Sequence, residues 1–326
     1  MNDKPSLQDL LEVQRSFGLP SAALVEKDWY VVKALAAITA ADTAPLRLVF
    51  GGGTALSRAH RLIRRMSEDI DLKIVGDEEP RRLVLRRLRD TITEALLAAG
   101  FRLDPANRAH RDSRNESRYT IYRLPYEPIT AGQGALRPGI QIETAVWALR
   151  RPAVALPVSS FIAEAFKRPP EVASITCVSI TQTAAEKFVA LTRRTAAEIV
   201  EAGGPRDPTL VRHVYDLHVL RAHYDPTEVA ALAREIMPHD ARGVRQSIPG
   251  LSRKSDSGNA AGSPGACSRS RLRPALRGIL PGHGLWGYSR VCGVYGDAGR
   301  INGTAPQRQP MTLTREARIS LSARAL

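Results

Sequence analysis

Apolar residues in the first forty positions recur every three or four, and the chain then changes to strict alternation. Ser6 can cap a first helix that Gly18 ends. Ser21 can cap a longer one to about Ala40, with Leu24, Tyr30, Val31, Leu35 and Ile38 as its apolar positions. A strand at Val49-Phe50 runs into Gly51-Gly52-Gly53, and after a short basic helix Asp69-Ile70-Asp71-Leu72 alternates polar with apolar. Pro80 opens a helix to about Ala99 whose Leu85, Leu88, Ile92 and Leu96 share one face, with Gly100 as its stop. Strands are predicted at Phe101–Leu103, Arg118–Leu124 and Gly139–Trp147. From Thr181 the pattern is helical, and from about Gly250 no period of 3.6 or 2 survives.

In a strand, alternate side chains share a face, so Asp69 and Asp71 point one way while Ile70 and Leu72 face a core. In the last predicted strand Glu143 lies opposite in sense to Ile140 and Ile142, so it can join the pair from a neighbouring strand, or be an exposed strand residue. Aligned carboxylates suit hard Mg²⁺ and the phosphoryl or nucleotidyl transfer that it assists, with an NTP as co-substrate. Glycines without Cβ let backbone approach a triphosphate, and the following helix offers unpaired N–H groups with Ser57 in its first turn.

The two blocks Phe-Gly-Gly-Gly-Thr-Ala-Leu-Ser and Arg-x-Ser-Glu-Asp-Ile-Asp-Leu resemble the signature of the AbiEii/AbiGii-type nucleotidyltransferase toxins of type IV toxin-antitoxin and phage-exclusion systems. Glu186-Lys187-x-x-Ala-Leu-x-Arg-Arg resembles the third motif of that family, and the stretch around Tyr215-Asp216-Leu217 its closing motif. Val25-Glu26-Lys27-Asp28-Trp29-Tyr30 is similar to its N-terminal helix; by itself the charged run reads as an exposed turn, and no catalytic role is assigned to it.

The resemblance implies an α/β (α+β) fold. Residues 1–150 would form a nucleotidyltransferase-like mixed sheet with flanking helices, 151–246 a helical domain completing the nucleotide cleft, and 247–326 a low-complexity basic tail, disordered or out of frame. It implies transfer of a nucleoside monophosphate from an NTP to RNA, a tRNA acceptor end above all, and neutralisation by a cognate antitoxin. Ser67, Asp69, Asp71, Lys187 and Asp216 would be catalytic. Gly52, Gly53, Thr54, Ser57 and Lys187 would hold the nucleotide, and Asp69, Asp71 and Glu143 the Mg²⁺. The pattern is expected to cover about residues 20 to 240.

Charge changes the picture in one place. Residues 251 to 326 hold 12 Lys and Arg against 3 Asp and Glu, so they carry +9 of the chain's net +14 and the main body only +5. Two local clusters remain in that body. Arg58-His60-Arg61-Arg64-Arg65 flanks the proposed site and suits triphosphate or nucleic-acid contact, whereas Arg81-Arg82-Arg86-Arg87-Arg89 reads equally as a solvated helix face. Steps of five residues between His213, His218 and His223 rotate by roughly 140° on a helix, which argues against zinc. Three cysteines without metal-ligand spacing, and no membrane-length apolar run, fit a cytoplasmic protein. The rival readings are a GTP/NTP-binding regulatory module without transferase activity and a non-catalytic RNA-binding protein.

Overall fold

The computed structural model describes residues 4–76, 78–130, 136–200 and 210–247. The basic tail, past Ser247, lies outside the described residues. Helices α1 (Leu7–Ser16) and α2 (Ala22–Thr39) lead into strand β1 (Arg47–Gly51), a single helical turn α3 (Gly52–Thr54) that widens into a π-turn at Ala55–Ala59, and strand β2 (Asp69–Val75). Then come α4 (Arg82–Ala98), β3 (Arg111–Arg114), β4 (Tyr119–Pro125), β5 (Gly139–Val146), β6 (Val154–Val158), α5 (Phe161–Ala165) and β7 (Val172–Cys177). Helices α6 (Ile180–Val200), α7 (Leu210–Leu220) and α8 (Pro226–Ser247) complete the described chain.

The strands form one seven-stranded mixed sheet in the order β3-β4-β5-β2-β1-β7-β6, with β2 parallel to β5 and β1 parallel to β7. Alternation sorts its two faces. Ile70, Leu72 and Ile74 of β2 and Ile140 and Ile142 of β5 are buried with Leu35 of α2 and Leu85, Leu88 and Ile92 of α4. Each such side chain contributes about 2 kcal/mol of burial. The opposite face carries Asp69, Asp71, Lys73 and Glu143. A second apolar cluster joins Leu56 and Ile63 to Val189 of α6, Leu217 and Leu220 of α7 and Leu232 and Ile236 of α8. It seats the last helices on the π-turn that leaves β1.

Both early caps form as the sequence indicates. The Ser6 hydroxyl accepts from the Asp9 N–H at 3.1 Å and that of Ser21 from Ala23 at 3.2 Å. The expected strand at Phe101–Leu103 is absent. Phe101 N–H bonds to Leu96 carbonyl (3.1 Å) and Gly100 N–H to Leu97 carbonyl (2.9 Å), with Gly100 at φ +84°, so this apolar residue closes the end of α4. The strand beside β4 is instead Arg111–Arg114, an edge strand whose Arg-Asp-Ser-Arg has no hydrophobic alternation to betray it. Strands β6 and β7 were not assigned from the sequence either.

The larger correction concerns Glu26-Lys27-Asp28. All three are buried, at 1, 0 and 2% exposure. Glu26 accepts from the backbone N–H groups of Ile129 (2.7 Å) and Thr130 (3.0 Å). Asp28 accepts from Phe161 N–H (2.7 Å) and pairs with Arg58 Nε (2.9 Å); burial pushes its carboxyl up to about 6, against the pull of Arg58. Lys27 Nζ pairs with Glu68 (3.1 Å) and donates to the carbonyls of Arg137 and Gly139. One turn of α2 thus fixes the approach to β2, the approach to β5 and the start of α5. Replacing Lys27 by Met, similar in length but uncharged, strands Glu68 and two carbonyls; the expected loss is about 3 kcal/mol, a Tm fall of roughly 10 °C by calorimetry.

Candidate active site

Antiparallel pairing of β1 with β2 sets Gly51 opposite Asp71, and parallel pairing of β2 with β5 sets Asp71 beside Glu143 and Asp69 beside Gln141. The three carboxylates therefore lie on one face of adjacent strands. Burial first, then Glu143 and Asp69, push the Asp71 carboxyl up to about 7. Asp69 is raised by burial and by Glu143, while Arg137 pulls the other way and forms a direct ion pair with it. Glu143 accepts from Tyr119 OH (2.9 Å) and Gln141 Nε2 (2.7 Å). Burial and then Glu143 in turn hold the Tyr119 hydroxyl protonated well beyond the usual range.

The glycines serve these carboxylates directly. Gly52 lies at φ +70°, and a Cβ built on it would come within 1.7 Å of Asp71 Oδ2. On Gly53 a Cβ would lie 2.6 Å from Ser67 Oγ and 2.9 Å from Arg65 Nη2. The space that side chains would fill is taken by Asp71, Ser67 and Arg65. Thr54 is 1% exposed and its hydroxyl donates to the Asp69 carbonyl, pinning the start of β2; Ser57 Oγ donates to Thr54 carbonyl at 3.1 Å. A Gly52→Ala chain combines a left-handed backbone with a collision at Asp71. Activity assays should show a loss on the order of 10²-fold from the displaced carboxylate, and calorimetry a loss of about 1–2 kcal/mol.

Helix α6 crosses above this face. Lys187 Nζ pairs with Asp216 Oδ2 of α7 at 2.7 Å, and Arg65 grips the same carboxylate with Nε on Oδ1 (2.7 Å) and Nη2 on Oδ2 (2.6 Å). Burial raises the Asp216 carboxyl, but the Arg65 hydrogen bond and Lys187 outweigh it and hold the carboxyl below the ordinary range. Lys187 is close enough to Asp71 to act on its ionisation as well. One residue earlier, Glu186 takes both hydrogen bonds from Lys73 Nζ (2.8 and 2.9 Å) and one from Trp147 Nε1 (3.1 Å), which ties α6 to β2.

All the expected site residues thus gather between β1, β2, β5 and the α6–α7 pair. The arginine cluster after the glycines is used differently from the sequence reading. Arg58 is buried on Asp28 with its guanidinium 3.5 Å from the Phe161 ring centre, and Arg65 is bound to Asp216. Tyr119, Arg137, Lys73 and Glu186 were missed as residues around these carboxylates. Of these, Lys73, in phase with Asp69 and Asp71, and Glu186, next to Lys187, carried a signal that could have found them. His213 is half-buried with its Nδ1 lacking a hydrogen-bond partner among the described residues, and burial followed by Lys187 pushes the ring down to about 4.

The donor set fits a divalent cation in chemistry, being three hard carboxylates, of which Asp69 and Asp71 are held back from ionising by burial and by the neighbouring Glu143. As they stand among the described residues they do not converge as a three-ligand group, since Asp69 is engaged by Arg137 and Glu143 by Tyr119 and Gln141.

A glycine turn packed against paired carboxylates, on a mixed sheet flanked by helices, is an arrangement suited to nucleotidyl transfer. The chain belongs to the AbiEii family: the model described as nucleotidyl transferase AbiEii toxin, type IV toxin-antitoxin system, matches residues 33–282. That span starts after Asp28 and runs past position 240, beyond the end expected from the motifs. No curated protein matches the chain. Among solved structures it is similar to the nucleotidyltransferase toxin MenT4 from Mycobacterium tuberculosis, at 19% identity over 72% of each chain with a TM-score of 0.49. It is also similar to the antibiotic-resistance factor ANT(2'')-Ia, at 17% identity over 68% of this chain and 98% of that one with a TM-score of 0.37. JHP933 from Helicobacter pylori matches at 17% identity over 74% and 78% with a TM-score of 0.36. The family assignment rests on the sequence match. No helix among the described residues is long and apolar enough to cross a membrane.

Proposed function

We propose that this nucleotidyltransferase toxin transfers a nucleoside monophosphate from an NTP to the acceptor end of tRNA, with pyrophosphate leaving. The observation that carries the reading is the placement of Asp69, Asp71 and Glu143 on one sheet face, with Lys187 near enough to act on Asp71 and itself held by Asp216. Asp69, Asp71 and Glu143 would hold Mg²⁺, which when bound neutralises phosphate charge and lowers the barrier to in-line attack. Gly52 and Gly53 keep backbone and carboxylate in close approach, with Ser67 and Ser57 at the rim for phosphate oxygens. Lys187 supplies a compact positive charge where the leaving pyrophosphate accumulates negative charge.

Asp216 acts as a positioning residue. Bound on two sides by Arg65 and Lys187, it sets where the Lys187 ammonium rests and is too enclosed to meet substrate itself. Arg137, which pairs with Asp69 and is partly exposed, would be able to turn toward nucleotide phosphates. A blocked acceptor end cannot carry an amino acid, which accounts for toxicity, and the family implies a cognate antitoxin in the same cytoplasm.

The test is release of pyrophosphate from each NTP in turn, measured with Mg²⁺ and with or without tRNA. Pyrophosphate that appears only when tRNA is present supports transfer. Release of inorganic phosphate regardless of RNA would replace the reading with that of a nucleotide-hydrolysing regulatory module.

A further inference from the structure

The charged stretch of α4 has a cleft attached to it that the active site does not use. A cavity of about 290 Å³ lies between α4 and the turn joining β3 to β4, lined by Arg82, Arg86, Arg89, Ser113, Glu116 and Ser117. The three arginines are spaced four and three residues apart, so they share one side of the helix while Leu85, Leu88, Ile92 and Leu96 are buried on the other.

Little internal chemistry occupies them. The Arg86 side chain makes no hydrogen bond or ion pair among the described residues. Arg82 and Glu116 approach only to 3.6 Å, with both side chains more than 60% exposed. Arg89 donates to Ser117 Oγ at 3.3 Å and to its neighbour Asp90 at 2.8 Å. The cavity's other wall is strained: Asn115, Glu116 and Ser117 lie consecutively at φ 49°, 57° and 69°, a conformation disfavoured for residues with a Cβ. Ser117 of this turn and Ser113 of β3, whose hydroxyl also meets Thr120 Oγ1 at 2.9 Å, share one hollow with the arginine forks.

We propose that this cleft binds backbone phosphates of the RNA substrate. Planar guanidinium forks from Arg82 and Arg86 grip phosphate oxygens in pairs, and the serine hydroxyls donate the remaining hydrogen bonds. A phosphate displaces the long Arg82–Glu116 contact at small cost because both partners are solvated.

Its place in the sheet favours an extended polyanion over a small one. Strand β3 is the sheet edge, three strands from β2 through β4 and β5, or roughly 14 Å. Along that route Tyr119 and Arg114, paired in register across β3 and β4, occupy the carboxylate face, while Ser113 and Thr120 occupy the α4 face. A strand of RNA leaving the carboxylates passes Tyr119 and Arg114, turns over the edge and meets the arginines. The inference rests on the transferase reading only for the identity of the ligand as the acceptor RNA.

The experiment measures binding of fluorescent tRNA to the full chain by anisotropy over a salt series. Arg82→Ala/Arg86→Ala is set beside Arg87→Ala/Arg102→Ala, a matched removal of two exposed arginines outside the cleft, and NTP binding is followed in parallel. The expected result is about a tenfold weaker affinity for the cleft variant, with the slope of log K against log salt reduced by about 1 to 2, and unchanged NTP binding. Equal behaviour of the two double variants, or no effect of either, overturns the proposal, as does failure of the unmodified chain to bind tRNA while it binds NTP. Loss of tRNA binding in the cleft variant alone supports the cleft even if no form transfers nucleotide, an outcome that would sink the transferase reading separately.

Discussion

Asp71→Asn is expected to lower nucleotide transfer on the order of 10³-fold while raising thermal stability above pH 7 in metal-free buffer. The two effects have one cause. Burial and the neighbouring Glu143 and Asp69 carry the Asp71 carboxyl from an ordinary 3.8 to about 7. Between those values the folded chain keeps a proton that the unfolded chain has released, so stability falls as pH rises from about 4 to 7. Above that range the penalty is fully present. Asparagine has the same shape and no charge, so it removes the penalty at pH 8 and changes little below pH 4. Calorimetry at the two pH values checks the sign; a variant less stable than its parent at pH 8 would show that the Asp71 charge is compensated within the protein.

Asp216→Ala is expected to have the largest effect on stability. The residue is fully buried, and its carboxylate is the common partner of Arg65 and Lys187 at 2.6 to 2.7 Å. Its removal leaves two cations facing a hole, at a cost of about 4 kcal/mol and a Tm fall of roughly 8–16 °C. Because its folded-state carboxyl titrates below the ordinary value, this contribution is present above about pH 4 and is lost as acid protonates it. Transfer activity should fall with it, since Lys187 loses the group that fixes its position. Asp216→Asn, which keeps the shape and accepts one hydrogen bond, should recover part of the stability and little of the activity. Full activity in Asp216→Ala would remove the residue from the account.

The carboxylate face was legible because its signals are local. Two carboxylates at a spacing of two, a third in an alternating strand and a glycine run before a helix are all patterns that the backbone period enforces. Lys187 and Asp216 became legible only through family motifs, as nothing in a helix's own period distinguishes a buried ion pair from a solvated one. The same ambiguity concealed Glu26, Lys27 and Asp28. Three consecutive charges look like an exposed turn, and only a helix enclosed on all sides, with loops from 100 residues away closing on it, can bury all three. Arg58 and Arg65 were read as ligand-facing for the converse reason, since their carboxylate partners, Asp28 and Asp216, are 30 and 151 positions distant. Edge strand β3 was hidden by its charge, and Phe101–Leu103 read as a strand because a hydrophobic residue closing a helix end resembles one starting a strand.

On the proposed reading, the face bearing Asp69, Asp71 and Glu143 adds a nucleotide to RNA. Intact mass analysis of purified tRNA after incubation with the full chain, Mg²⁺ and each NTP measures that addition directly. The expected result is a mass gain of one or more nucleoside monophosphates at the 3′ end with at least one NTP, and none with Asp71→Asn. Unchanged tRNA mass with every NTP, from a folded chain shown to bind nucleotide in the same sample, would contradict it.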